Sequence, residues 1–238
     1  MIRVVRSLVA AVLAWGMAFA PVAAAAQQAS SVAKPDAPSD NDALAAAVAE
    51  IKASNPQKAV NLLDPVITRI ERDLASEKRK VYCGMAQTET LAYMAQAAAG
   101  KQDAIAIAPT LCEALFLKAF SLVDLDRVDA AQAIFQRLTV LAPLHSQYFS
   151  ELGNTYRLQK NWAASLAAYE SAESSATLAD KSDVPTRQCI ALRGQGYVLV
   201  ELGKWDEAER AYRKCLKAIP GEPKSLGELG YIKQHRGK

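Results

Sequence analysis

Three stretches of this chain fall on one frame. Segment 112–145 carries Leu115, Leu122, Ala131, Phe135 and Pro143; segment 146–179 carries Phe149, Leu152, Gly153, Tyr156, Trp162, Tyr169 and Ala172; segment 189–222 carries Leu192, Gly196, Leu199, Gly203, Trp205, Ala208, Tyr212 and Pro220. The first two start 34 residues apart and the next two 43 apart, which places nine extra residues, 180–188, between the second and third. A period of this length means that one small unit recurs and buries its apolar face only against its neighbours. Apolar residues within each unit recur at helical spacing. Small residues at Gly153, Gly196, Ala131 and Ala208 let two antiparallel helices touch. Large ones at Phe135, Tyr169 and Tyr212 fill the gap to the next unit, and proline stops the second helix.

This frame resembles the tetratricopeptide repeat: W-x2-L-G-x2-Y, then A-x3-F, then P, on a 34-residue period. The middle copy matches the first part as Phe149-x2-Leu152-Gly153-x2-Tyr156, and the last copy matches the second part as Ala208-x3-Tyr212 ending at Pro220. The resemblance implies an all-α superhelix of antiparallel helix pairs over residues 40–238. Two degenerate copies are expected at 40–73 and 78–111. The first is a hairpin broken at Ser54-Asn55-Pro56, with Asp40, Asn41 or Asp42 as the cap of its first helix. The second departs from the pattern: Lys80 to Met85 and Ala104 to Ile107 read as a minor short strand pair around a helix from Thr88 to Ala99, with Val81, Ile105 and Ile107 facing inward. After Pro223 a last first-helix with Leu226, Leu229 and Gly230 in repeat positions caps the array over 223–236, and Leu226, Leu229 and Ile232 are expected to form an apolar edge.

The N-terminus reads differently. Arg3 and Arg6 precede an uncharged run from Leu8 to Ala20, Pro21 breaks it, and Ala24-Ala25-Ala26 offers a cleavage site before Gln27. Residues 1–26 have the layout of a cleavable signal peptide, which predicts a periplasmic or secreted protein with no integral membrane span after cleavage. Residues 27–39, rich in Gln, Ser, Ala and Pro, read as a flexible leader. Removing the signal takes two of the 28 basic residues and no acid, leaving 26 against 25. That balance gives no reason to expect a nucleic-acid or anionic-membrane partner.

Motifs for chemistry are missing. His145 and His235 are the only histidines, and neither has a Cys, His or Glu at metal-ligand spacing. His145, after Pro143, reads as a solvated loop residue. There is no nucleophile elbow, phosphate loop or dinucleotide fingerprint, so neither a cofactor nor an enzymatic activity is expected. Cys83, Cys112, Cys189 and Cys215 form an even set, which in an exported chain predicts disulfides with three connectivities open. Cys189, opening a first helix, and Cys215, late on its partner, fall at the same end of one hairpin; Cys83 and Cys112 flank the irregular stretch. The alternative is four buried thiols, with Cys215 in a small-residue core position.

The resemblance also implies where a partner binds. First helices of such arrays line a concave face, which here gives Phe116, Phe120 and Val123, then Ser150, Asn154 and Arg157, then Arg193 and Tyr197, and Tyr231 from the last helix. Aromatic and Arg side chains are common anchors; the competing assignment is that Phe116, Phe120 and Tyr197 complete the packing between repeats. Some relatives clamp a peptide's C-terminal carboxylate with basic residues on successive first helices, but Ile190 and Gly194 stand where the last repeat would need them. The expected function is a non-catalytic scaffold or adaptor that holds a protein or peptide. The alternative is a self-assembling structural subunit of an envelope or secretion complex.

Overall fold

The computed structural model describes residues 39–236; the signal-like segment and all but the last residue of the leader lie outside them. Ten α-helices and two strands follow in order: α1 Asp40–Lys52, α2 Pro56–Asp73, β1 Lys80–Cys83, α3 Gln87–Ala99, β2 Ala104–Ile107, α4 Thr110–Asp124, α5 Val128–Leu141, α6 Ser146–Leu158, α7 Trp162–Ser175, α8 Val184–Glu201, α9 Trp205–Ala218 and α10 Pro223–His235. Helices α1/α2, α4/α5, α6/α7 and α8/α9 pack as pairs, and α10 closes against α9. The fold is all-α apart from the one small sheet.

The turns inside the four pairs share one geometry. Ser54, Asp126, Lys160 and Gly203 all have φ between 58° and 71°. In each case the next residue's N–H reaches back five positions: Asn55 to Glu50, Arg127 to Leu122, Asn161 to Tyr156 and Lys204 to Leu199, at 2.8–2.9 Å. This left-handed residue with a six-to-one bond satisfies carbonyls that the helix end would leave bare. The α1–α2 turn obeys it although its sequence carries almost none of the repeat's side-chain signature. The cap of α1 is Ser39, one residue before the expected candidates. Its hydroxyl accepts from the Asp42 N–H at 3.2 Å, and the Asp42 carboxylate accepts from the Ser39 N–H at 3.1 Å, a reciprocal capping box.

Small residues and rings interlock as the periodicity requires. Ala131, Ala172 and Ala208 are fully buried, as is Phe135. Gly153 of α6 lies under the ring of Tyr169, where an added Cβ would stand 3.1 Å from ring carbons; Gly196 of α8 lies under Tyr212, where it would stand 2.5 Å away. Tyr169 also presses on Gly194 of the following repeat, so one ring closes both the intra-pair and the inter-pair seam.

The stretch 78–111 holds the strand–helix–strand unit expected where the repeat pattern breaks. Strands β1 and β2 pair in parallel, Lys80 opposite Ala104 through Cys83 opposite Ile107. A parallel pair needs a crossover, and α3 supplies it. Val81 is only half-buried; the inward residues of β1 are Tyr82 and Cys83, and Tyr82 stacks on Tyr93 of α3 with ring centroids 5.0 Å apart. Helix α4 packs directly on α2, so this unit is an excursion from a stack that continues beneath it. Of the nine inserted residues, Val184 onward extends α8 at its N-terminus. Cys189 therefore sits more than a turn inside α8 rather than opening it.

Candidate functional site: a groove with an apolar and a polar end

The first helix of each pair contributes to a run of three cavities that share lining residues. At the α1 end, Leu44, Ala45, Val48, Phe116, Leu117 and Tyr148 line a hollow of about 290 Å³ whose few polar groups are Glu113, Gln147 and His145. Gln147 also borders a second hollow of about 270 Å³, walled by Ser146, Ser150, Glu151, Asp183, Thr186, Arg187 and Ile190. Ser150, Glu151 and Ile190 carry over into the largest, about 500 Å³, which reaches Asn154, Arg157, Arg193, Gly194, Tyr197, Lys224 and Glu228. The groove thus runs from an apolar end between α1, α4 and α6 to a polar end between α6, α8 and α10.

Of the residues expected to line it, Asn154, Arg157, Arg193 and Tyr197 are brought together in the largest hollow. Arg157 donates to Asn154 Oδ1 at 2.7 and 3.2 Å and lies 5.0 Å from the centroid of Tyr197, a cation–π contact that fixes both side chains. Arg193 points instead at the end of the array. It donates to Glu222 Oε1 at 2.6 Å, while Glu222 Oε2 accepts from the Ser225 N–H at 2.7 Å and so caps α10. Burial would raise the Glu222 carboxyl pKa, but the Ser225 bonds and the Arg193 guanidinium outweigh it and hold the value at about 2.

Phe116 serves both assignments weighed for it. It lines the apolar hollow and also packs among Phe120, Phe135 and Tyr148, with centroids 5.8–6.5 Å away. Phe120 is 38% exposed and borders none of the three hollows. Val123 packs against the core. Tyr231 also lies off the groove, between Trp205 and His235 at 6.5 and 4.0 Å. His145 is a correction: the expected solvated loop residue is 8% exposed and lies against Glu89 of α3, which is 2% exposed. Sequence reasoning missed Glu151, which sits four residues after Gln147 and three before Asn154 on the same helical stripe. It also missed the α1 wall of the apolar end, Leu44, Ala45 and Val48, which belongs to a repeat with no motif.

Cys83 and Cys112 stand at disulfide-bonding distance with Cα atoms 6.2 Å apart, and Cys189 and Cys215 likewise at 4.4 Å. The first pair ties the root of the excursion to α4; the second joins α8 to α9 beside Glu222 and Ser225, whose hydroxyl lies 3.1 Å from Cys215 Sγ.

Residues 116–179 match one family model and residues 191–226 another, both described as tetratricopeptide repeat. The chain carries tetratricopeptide repeats over these two segments. Among solved structures, the MamA RS-1 double mutant is similar with a TM-score of 0.53 at 14% identity, over 84% of this chain and 85% of that one. A crystal structure of MamA gives 0.52 at 15% identity, over 80% and 84%. The type III secretion chaperone SycD of Yersinia enterocolitica, in complex with a peptide of the translocator YopD, gives 0.45 at 20% identity, over 52% and 92%. At these identities the likeness is one of fold. No curated protein matches the sequence.

Proposed function

We propose that this protein is a non-catalytic scaffold that holds a segment of a partner protein in the groove of its first helices, and that it does so in the periplasm or outside the cell. The observation that carries the reading is the groove's division into an apolar end at Leu44, Val48 and Phe116 and a polar end at Asn154, Arg157 and Arg193. Apolar walls supply desolvation and a few fixed polar groups supply register, the usual division of labour in a recognition groove. The export reading is supported by the signal-like order of residues 1–26. None of the described helices is long and apolar enough to cross a membrane.

Affinity capture tests the groove. A partner recovered by the wild-type chain should be lost with the double variant Arg157→Glu, Tyr197→Ala, with circular dichroism confirming an intact fold. Equal recovery by both proteins refutes the groove. The export reading is tested by the intact mass of the protein in the cell envelope fraction, expected to begin at Gln27; a chain retaining Met1 refutes cleavage.

Self-assembly is a second reading, favoured by one feature. On helix α10 Leu226 is 51% exposed, and Gly227 and Gly230 face open space. The expected apolar edge is narrower than the sequence suggested, because Ile232 is buried against α9. Light scattering over a range of concentrations decides it: a monomer throughout rules the reading out.

A further inference from the structure

The charges of the polar end are not equally occupied. Arg193 is bound to Glu222, and Arg157 to Asn154 and Tyr197. Lys224 and Glu228, also on the largest hollow, have no ion-pair partner among the described residues, and neither has Glu151. Glu151 lines both polar hollows, at their junction. Among the described residues no hydrogen bond to its carboxylate is formed. Burial pushes its carboxyl pKa upward. Beside it, Arg187 donates to Gln147 at 3.3 Å and approaches Asp183 at 3.8 Å, yet its Nε–H is buried without an acceptor.

Glu151 sets a requirement on whatever fills the groove. A segment that displaces water from Glu151 without replacing it leaves a buried, unpaired carboxylate, which is strongly unfavourable; a cation placed there removes the penalty. We propose that the groove selects protein segments carrying a lysine or arginine, whose cation ion-pairs with Glu151 at the junction of the two polar hollows. The selection is partly repulsive: neutral and acidic residues at that position are rejected because they strand Glu151. This deepens the groove reading and rests on it. The apolar hollow beyond Gln147 takes the residues on one side of the basic one.

A phage-displayed library of random-sequence peptides, panned on the purified chain, tests the proposal. Peptides recovered by the wild type should be enriched several-fold in Lys and Arg. Glu151→Gln should abolish the enrichment while still recovering peptides, and Glu151→Lys should reverse it toward Asp and Glu. Recovered peptides with no basic preference, or a preference unchanged in Glu151→Gln, overturn this inference and leave the groove reading standing. Failure of the wild type to recover any peptide overturns both.

Discussion

His145 Nδ1 stands 3.0 and 3.1 Å from the two carboxylate oxygens of Glu89, a residue 56 positions earlier in the chain. Glu89 also meets the Tyr93 hydroxyl at 3.4 Å, and that hydroxyl accepts from the Leu144 N–H at 3.3 Å. Helix α3 of the excursion is thereby fastened to the turn between α5 and α6. Replacing Glu89 by Ala strands buried donors, and a loss of about 1–3 kcal/mol is expected in urea unfolding. The Glu89→Ala, His145→Ala double variant should lose less than the sum of the singles, because one bond is being removed twice. Strict additivity would show that the two residues do not interact.

The glycines under tyrosine rings give a second prediction. An alanine at Gly196 would place its Cβ 2.5 Å from ring carbons of Tyr212, which is 1% exposed. Gly196→Ala should destabilise by about 1–3 kcal/mol through overpacking. Gly227→Ala, where nothing lies within 4 Å, should be neutral or slightly stabilising because alanine is the better helix former. Both follow from the same denaturation series.

Lys160 occupies with φ 58° the position that Gly203 fills in the next repeat. A side chain in that region costs roughly 1–2 kcal/mol, against which glycine's greater unfolded freedom costs about 0.5–1 kcal/mol. Lys160→Gly should therefore raise stability slightly, by up to about 1 kcal/mol, and raise the melting temperature. A drop would mean that the lysine side chain makes a contact worth more than the backbone strain.

Acid should loosen the C-terminal end through Glu222. Its carboxyl pKa is lowered in the fold from 4.5 to about 2, so the stabilisation it gives is present above the unfolded value and is lost as pH falls from there toward 2. Glu222→Gln should be less stable than the wild type at neutral pH, and its stability should change less over that acid window. Hydrogen exchange of the α10 amides locates the effect. Identical acid profiles for the two proteins would remove Glu222 from the account.

The cysteine pairs predict no reactive thiol in the denatured, non-reduced exported protein. Closing loops with sequence separations of 29 and 26 residues contributes about 3 kcal/mol each in the chain-entropy account. Four titratable thiols would place the chain in a reducing compartment or leave the pairs unbonded.

What could be read from the sequence and what could not divide on a physical line. Contacts between neighbouring repeats are local, so Gly153, Tyr169, Ala208 and Tyr212 announce the helix pairs, and the hairpin sets Cys189 and Cys215 at one end while leaving the cysteine connectivity open. His145 and Glu89 are joined by tertiary contact across an irregular unit with no period, and nothing near either residue signals burial. Phe120 and Tyr231 were placed on the groove by helical phase, but a rotation of one residue is 100° on a helix, enough to carry a side chain off the concave face. Glu151 lies on the same stripe as Gln147 and Asn154, but a lone carboxylate on a helix ordinarily faces water, and nothing in the sequence marks this one.

The excursion changes what a cut in the chain means. With Cys83 and Cys112 bonded, β1, α3 and β2 form a loop closed at its base, and the exposed turn at Gly100 to Asp103 is its open rim. Proteolysis there yields two polypeptides that migrate as one species without reductant and as two with it, while α2 and α4 stay in contact beneath. The connectivity of the helical stack is then carried by a sulfur–sulfur bond and by packing, and the peptide backbone at that point is dispensable.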